Sequence, residues 1–120
     1  MAKIFMKSSW GSDDPTRAAM VLGHGNALVN AGHEVRIFLL GEAVCLVRAV
    51  VRENCKPVGW PSVAEQYNEA IGNGIRIEFC GACSRARGIS EDEMAEAGGQ
   101  LGNPASLVED IMWSDKIVAE

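Results

Sequence analysis

The chain has 120 residues, 48% of them hydrophobic and 22% charged, which suits one globular domain with its own core. A formal net charge of -5 argues against nucleic acid as the main ligand, because backbone phosphates need clustered Lys and Arg. No stretch approaches the roughly 20 apolar residues of a membrane helix, and the apolar run after Met1 is too short for a signal peptide. No membrane partner and a cytoplasmic location are therefore expected. In that compartment Cys45, Cys55, Cys80 and Cys83 are expected as free thiols, metal ligands or catalytic groups rather than structural disulfides.

Lys3 to Lys7 reads as a short strand, followed by a polar loop from Ser8 to Asp14 that holds Trp10 and Gly11. Asp14-Pro15 is a strong helix start, since Asp accepts from free amides and Pro fits the first turn. The helix carries Ala18, Val21, Leu22, Leu28 and Val29 and stops at Ala31-Gly32. Val35 to Leu40 is a second strand, whose continuously apolar end suits cover on both faces. Gly41-Glu42 turns into a helix expected from Ala43 to Val51. Arg52 to Ser62 reads as a loop, Val63 to Ile71 as a helix closed by Gly72-Asn73-Gly74.

Ile75, Ile77 and Phe79 then alternate with Arg76 and Glu78, the pattern of a third strand. It runs into Cys80-Gly81-Ala82-Cys83. Gly81 and Gly88 predict a shaped loop here. Ser90 and Glu93 form a capping box for a helix to Ala97. Gly98 to Gly102 is expected as a short fourth strand, Asn103-Pro104 as the start of a helix to Trp113, and Lys116 to Ala119 as a last strand. Strands alternating with helices across short loops predict a three-layer α/β/α domain spanning 1–120, with a mostly parallel sheet of about five strands. Ligands in such sheets gather beyond the carboxyl ends of the strands. One site is therefore expected from Ser8–Asp14, Gly41-Glu42 and the Cys80 segment, with Trp10, Asp13, Glu42, Gly81 and Gly88 lining its pocket.

Three chemistries suit Cys80 and Cys83. A zinc site needs further ligands, and neither Cys45 and Cys55 nor His24 and His33 are spaced to supply them. No metal is expected. A dithiol redox centre normally opens a helix whose amides lower the thiol pKa. A single nucleophilic cysteine that receives and passes on sulfur needs a thiolate. A free thiol, with pKa near 8.5, is ionised only to about a few per cent at neutral pH, so Arg85 or Arg87 would have to favour the anion. Against all three stands a buried, inert strand cysteine. Gly23-His24-Gly25 begins like a dinucleotide-binding loop but lies inside a predicted helix and lacks the third glycine. No cofactor is expected.

The segment Cys80-Gly-Ala-Cys83-Ser-Arg85-Ala-Arg87-Gly88-Ile-Ser90 resembles the signature of the DsrE/DsrF-like family, which includes YchN-like proteins and sulfur-relay subunits of the TusD type. The loop-Asp-Pro helix start, Ala-Gly-His-Glu-Val, Gly-Glu-Ala-Val and Ser-Asp-Lys-Ile-Val follow in family order, so the similarity spans nearly the whole chain. The resemblance implies that Cys80, at the end of the third strand, is the sulfur-accepting nucleophile, with Arg87, and Arg85 beside it, stabilising its anion. Cys83 matches a second cysteine of the YchN-like branch and leaves room for a resolving thiol. The resemblance also implies a homo-oligomer, trimer or hexamer, and sulfur donor and acceptor proteins as partners. The function it implies is a persulfide carrier. A binding module of the same fold and a Cys80–Cys83 redox switch are the alternatives.

Overall fold

The computed structural model describes all 120 residues. Five strands form one sheet: β1 Lys3–Ser8, β2 Glu34–Leu39, β3 Arg76–Cys80, β4 Gln100–Gly102 and β5 Lys116–Ala119. Their order is β4-β3-β2-β1-β5, and every pairing is parallel. The helices are α1 Pro15–Asn30, α2 Ala49–Asn54, α3 Val63–Gly72, α4 Gly81–Ala86, α5 Glu91–Glu96 and α6 Pro104–Trp113. The fold is the three-layer α/β domain expected from the sequence.

The local reasons hold at most helix starts. Asp14 Oδ1 accepts from the Arg17 amide at 3.1 Å, with Pro15 in the first turn. Both halves of the Ser90–Glu93 capping box form, and Asn103 caps α6 ahead of Pro104. Two boundaries differ. The helix expected over Ala43–Val51 is instead a 3-10 segment, Gly41–Val47, and α2 begins only at Ala49 and runs to Asn54, into the expected loop. Arg48 breaks the run with an extended backbone, φ -93 and ψ 126. Its side chain reaches out to Glu93 at 3.0 Å and to the Gly88 carbonyl at 3.3 Å.

The glycines of Gly23-His24-Gly25 are packing positions. A Cβ on Gly23 would lie 2.6 Å from the Trp60 ring, and one on Gly25 would lie 3.1 Å from Ile37 Cδ1. They let α1 lie close against the segment before α3 and against β2.

The sheet has two unlike faces. On one, Ile4, Met6, Val35, Ile37, Leu39, Ile77 and Phe79 join Val21, Leu22, Tyr67 and Met94 in a core cluster of 23 buried residues. The alternate positions, Phe5, Arg36, Phe38, Arg76 and Glu78, point the other way. That second face is charged. Arg36 pairs with the fully buried Asp110 of α6 at 3.0 Å and lies 4.0 Å over the Trp113 ring. Arg76 reaches the fully buried Glu78 at 3.4 Å.

Burial, with the hydrogen bond and charge of Asp110, pushes the Glu78 carboxyl up to about 8, against the pull of Arg76. A carboxyl whose folded pKa is raised binds its proton more tightly in the folded chain. Its contribution to stability is therefore whole below the unfolded value of 4.5 and is lost as pH climbs to about 8. The melting temperature is expected to fall between those limits by at least about 4 °C, the equivalent of roughly 1 kcal/mol. Glu78→Gln is expected to flatten that part of the profile. Scanning calorimetry of both proteins across the range checks it, and an unchanged slope in Glu78→Gln would contradict it.

Candidate functional site

The carboxyl ends of β1, β2 and β3 meet at the two cysteines. β3 ends at Cys80, which is the N-cap residue of α4; the Cys83 amide donates to Cys80 Sγ at 3.5 Å. The cysteine pair thus opens a helix, where the sequence predicted a loop. Gly88 explains the discrepancy. It does not shape a loop around the pair but closes the helix after it, with φ +69, its amide on the Arg85 carbonyl at 3.1 Å and the Ile89 amide on the Ser84 carbonyl at 2.9 Å. Gly81 permits close packing at the helix start: a Cβ there would fall 2.9 Å from Leu101 Cδ1 and 3.2 Å from the Gly102 carbonyl.

Cys83 faces the end of β2. The Gly41 amide donates to its Sγ at 3.2 Å. Gly41 has φ +56, a conformation that glycine adopts freely. Arg87 donates to Glu42 Oε2 at 3.2 Å and to the Cys83 carbonyl at 3.1 Å, so the ion pair fixes the guanidinium beside this thiol. The end of β1 supports the same turn from behind. A side chain at Gly11 would collide with the Glu42 carbonyl and with Cys45 Sγ, while Asp13 accepts from the Gly11 amide at 2.8 Å.

The two thiols diverge in acidity. Burial alone would raise Cys83, but the hydrogen bond from Cys80, the Gly41 amide and the charge of Arg87 outweigh it and bring the thiol below its ordinary value. Burial raises Cys80, and so does its hydrogen bond to Cys83; the amides of Cys83 and Ala82 offset this only in part. Of the two thiols, Cys83 is thus the one more readily ionised. The sequence had placed the anion on Cys80 with Arg87 beside it. In the structure the Gly41 amide and Arg87 both bear on Cys83, which favours the anion there.

Cys80 opens instead onto a cavity of 320 Å³ beside α6. Phe38, Leu40, Leu101 and Leu107 form its apolar walls, and Lys7 and Arg85 its cationic ones. Of the residues expected at the site, Cys80, Gly81 and Arg85 line this cavity, and Cys83, Glu42 and Arg87 form the cluster next to it. Gly88 is the helix stop. Trp10 and Asp13 lie outside the cavity: Trp10 lies under the Arg17 guanidinium, 4.6 Å away, and Asp13 organises its own turn. Cys45 lies 3.8 Å from Ser12 Oγ, and Cys55 is buried.

Lys7 was missed. Strand alternation was the available signal, since Lys7 shares the parity of Phe5, opposite to the core residues Ile4 and Met6, and lies one residue before the end of β1.

The family profile described as DsrE/DsrF-like matches residues 2–119. The chain belongs to that family. Two archaeal relatives are similar to this DsrE/DsrF-like chain over 87 residues, each at 33% identity. An uncharacterized protein of Methanopyrus kandleri matches over 72% of this chain and 68% of its own length, and one of Methanocaldococcus jannaschii over 72% of each. Among solved structures, the YchN protein of E. coli superposes with a TM-score of 0.80 at 20% identity over 100% of both chains. A protein of unknown function from Bacteroides thetaiotaomicron gives 0.72 at 21% identity, covering 99% of this chain and 95% of its own. These structures share the fold.

The polarity of the pair is open to direct chemistry. Iodoacetamide at about pH 6 is expected to label Cys83 faster than Cys80, because the thiolate is the reactive form. Arg87→Gln is expected to raise the Cys83 pKa and slow its labelling several-fold, with Arg87→Lys in between. Peptide mass mapping of the time course checks this, and a rate unchanged in Arg87→Gln would contradict it.

Proposed function

We propose that this DsrE/DsrF-like protein handles sulfane sulfur with Cys80 as the acceptor and Cys83 as its base and resolving thiol. The observation that carries the reading is the division of labour between the two sulfurs. Cys80 lines a cavity, while Cys83, whose amide donates to Cys80 Sγ, takes the Gly41 amide on its own sulfur and has Arg87 favouring its anion.

The chemistry balances without an added oxidant. As Cys80 Sγ attacks the outer sulfur of a persulfide R–S–SH, its proton passes to the Cys83 thiolate. The S–S bond of the persulfide breaks, and its electron pair leaves on R–S⁻. Cys80–S–SH and Cys83–SH remain. Attack by an acceptor thiolate on the new outer sulfur then returns Cys80. Where no acceptor arrives, Cys83, once deprotonated, attacks Cys80 Sγ and expels hydrosulfide. The sulfane sulfur is reduced and the pair is oxidised to a disulfide.

A second reading rests on the same helix start: a Cys80–Cys83 redox switch, since a dithiol across the first turn of a helix is the arrangement of disulfide-exchange centres. The proposal includes assembly into a homo-oligomer. Val108 and Met112 of α6 and Ile117 of the edge strand β5 leave apolar surface exposed, which supports it. Sulfur donors and acceptors are the remaining partners proposed.

The test is intact-mass measurement after exposure to a cysteine desulfurase with cysteine, or to a small organic persulfide. The wild type is expected to gain the mass of one sulfur atom. Cys80→Ser is expected to gain none, and Cys83→Ser to gain it more slowly and hold it longer. A wild type that gains no sulfur but loses the mass of two hydrogens under mild oxidation would favour the redox switch. Sulfur retained in Cys80→Ser would overturn the assignment of the acceptor.

A further inference from the structure

The cavity beside Cys80 has a chemical character of its own. Its walls are mostly aliphatic and aromatic, from Phe38, Leu40, Leu101 and Leu107, and none of its 12 lining residues is acidic. Two cations enter it. Arg85 is the one arginine whose side chain has neither ion pair nor hydrogen bond, for Arg17, Arg36, Arg48, Arg76 and Arg87 pair with carboxylates and Arg52 binds carbonyls. Lys7, half-buried near the end of β1, is likewise without a side-chain partner. An anion entering the cavity would therefore meet two cations that no carboxylate already holds.

At 320 Å³ the space lies at the lower end of small-molecule sites, which run from roughly 300 to 1,000 Å³. It is too small for a folded partner's surface and sized for a compact organic molecule.

We propose that this cavity binds a small organic anion, with a short apolar body against Phe38, Leu40, Leu101 and Leu107 and a carboxylate or sulfonate head between Lys7 and Arg85. Joined to the sulfur-transfer reading, on which this part rests, the R group that brings sulfur to Cys80 or takes it away is such an anion rather than a protein tail. The site then selects its reactant by charge at one end and delivers the sulfur at the other. The anion-binding part stands on the cavity alone.

The test uses hexanesulfonate as the probe, with hexanol and hexylammonium as its neutral and cationic counterparts, titrated into the full chain and followed by backbone amide NMR. Hexanesulfonate is expected to shift amides confined to Cys80–Arg85 and Leu101–Leu107, and to saturate. Hexanol is expected to bind at least about tenfold more weakly, and hexylammonium not at all. Arg85→Gln, a surface change that leaves the spectrum folded, is expected to weaken hexanesulfonate by about tenfold, and Lys7→Gln likewise. Equal affinity for hexanol, shifts centred elsewhere, or no saturable binding would overturn the proposal.

The same samples are then offered the persulfide. Uptake of sulfur on Cys80 that hexanesulfonate neither slows nor competes with would sink the anion assignment alone and point to a protein donor. Saturable hexanesulfonate binding in a protein that takes up no sulfur would sink the transfer reading alone.

Discussion

The site depends on one hydrogen-bonded junction, where the sulfur of Cys80 caps the first turn of α4 while the sulfur of Cys83 takes the amide of Gly41. That junction ties the end of β3 to the end of β2 through two thiols. It also gives the two thiols unlike surroundings. The Gly41 amide and the Arg87 guanidinium favour the anion at Cys83, while burial disfavours it at Cys80. Cys80, left as the donor, is the sulfur that meets the cavity. Parallel topology makes this possible, since it brings three strand ends to the same edge of the sheet.

The two faces of the sheet divide stability from chemistry. The core face supplies an apolar cluster in which Met6, Ile37, Ile77 and Phe79 are almost wholly buried. The other face has α6 laid over Arg36 and Glu78 with its own Asp110 turned inward, and it keeps Arg76 Nε, Glu78 Oε2 and Asp110 Oδ2 buried without a partner. Unpaired buried polar atoms are costly. A protonated Glu78 relieves part of that cost, which is why its carboxyl is pushed up to about 8. The cavity beside Cys80 lies at the edge of this polar face, where Gly102 allows Phe38 and Glu78 to approach.

Much of the fold was legible in the sequence. Alternation at Ile75, Ile77 and Phe79, the Asp14-Pro15 and Asn103-Pro104 starts and the Ser90–Glu93 box each rest on nearest-neighbour physics, and each formed. The family resemblance named Cys80, Cys83 and Arg87, and all three lie together. What failed was long-range. Gly88 is the exception: its role as a helix stop rests on local hydrogen bonds back to Ser84 and Arg85, but a glycine suits a helix stop and a loop hinge equally. Spacing does not reveal that Arg87 bears on Cys83, since Glu42, 45 residues away, fixes its position. The cavity walls come from β1, β2, β4 and α6, so no single stretch could announce them. Trp10 and Asp13 were drawn into the expected pocket by their place after β1, but the loop turns its side chains toward Arg17 and Gly11.

The account's central claim is that the proton leaves Cys83 before it leaves Cys80. Labelling the cysteine β-carbons with carbon-13 and following both signals through a pH titration reads this without altering either residue. The account predicts that the Cys83 signal moves first, below the ordinary thiol range, while Cys80 titrates above it. If Cys80 titrates first, or both move together at the value of a free thiol, the assignment of base and acceptor is wrong.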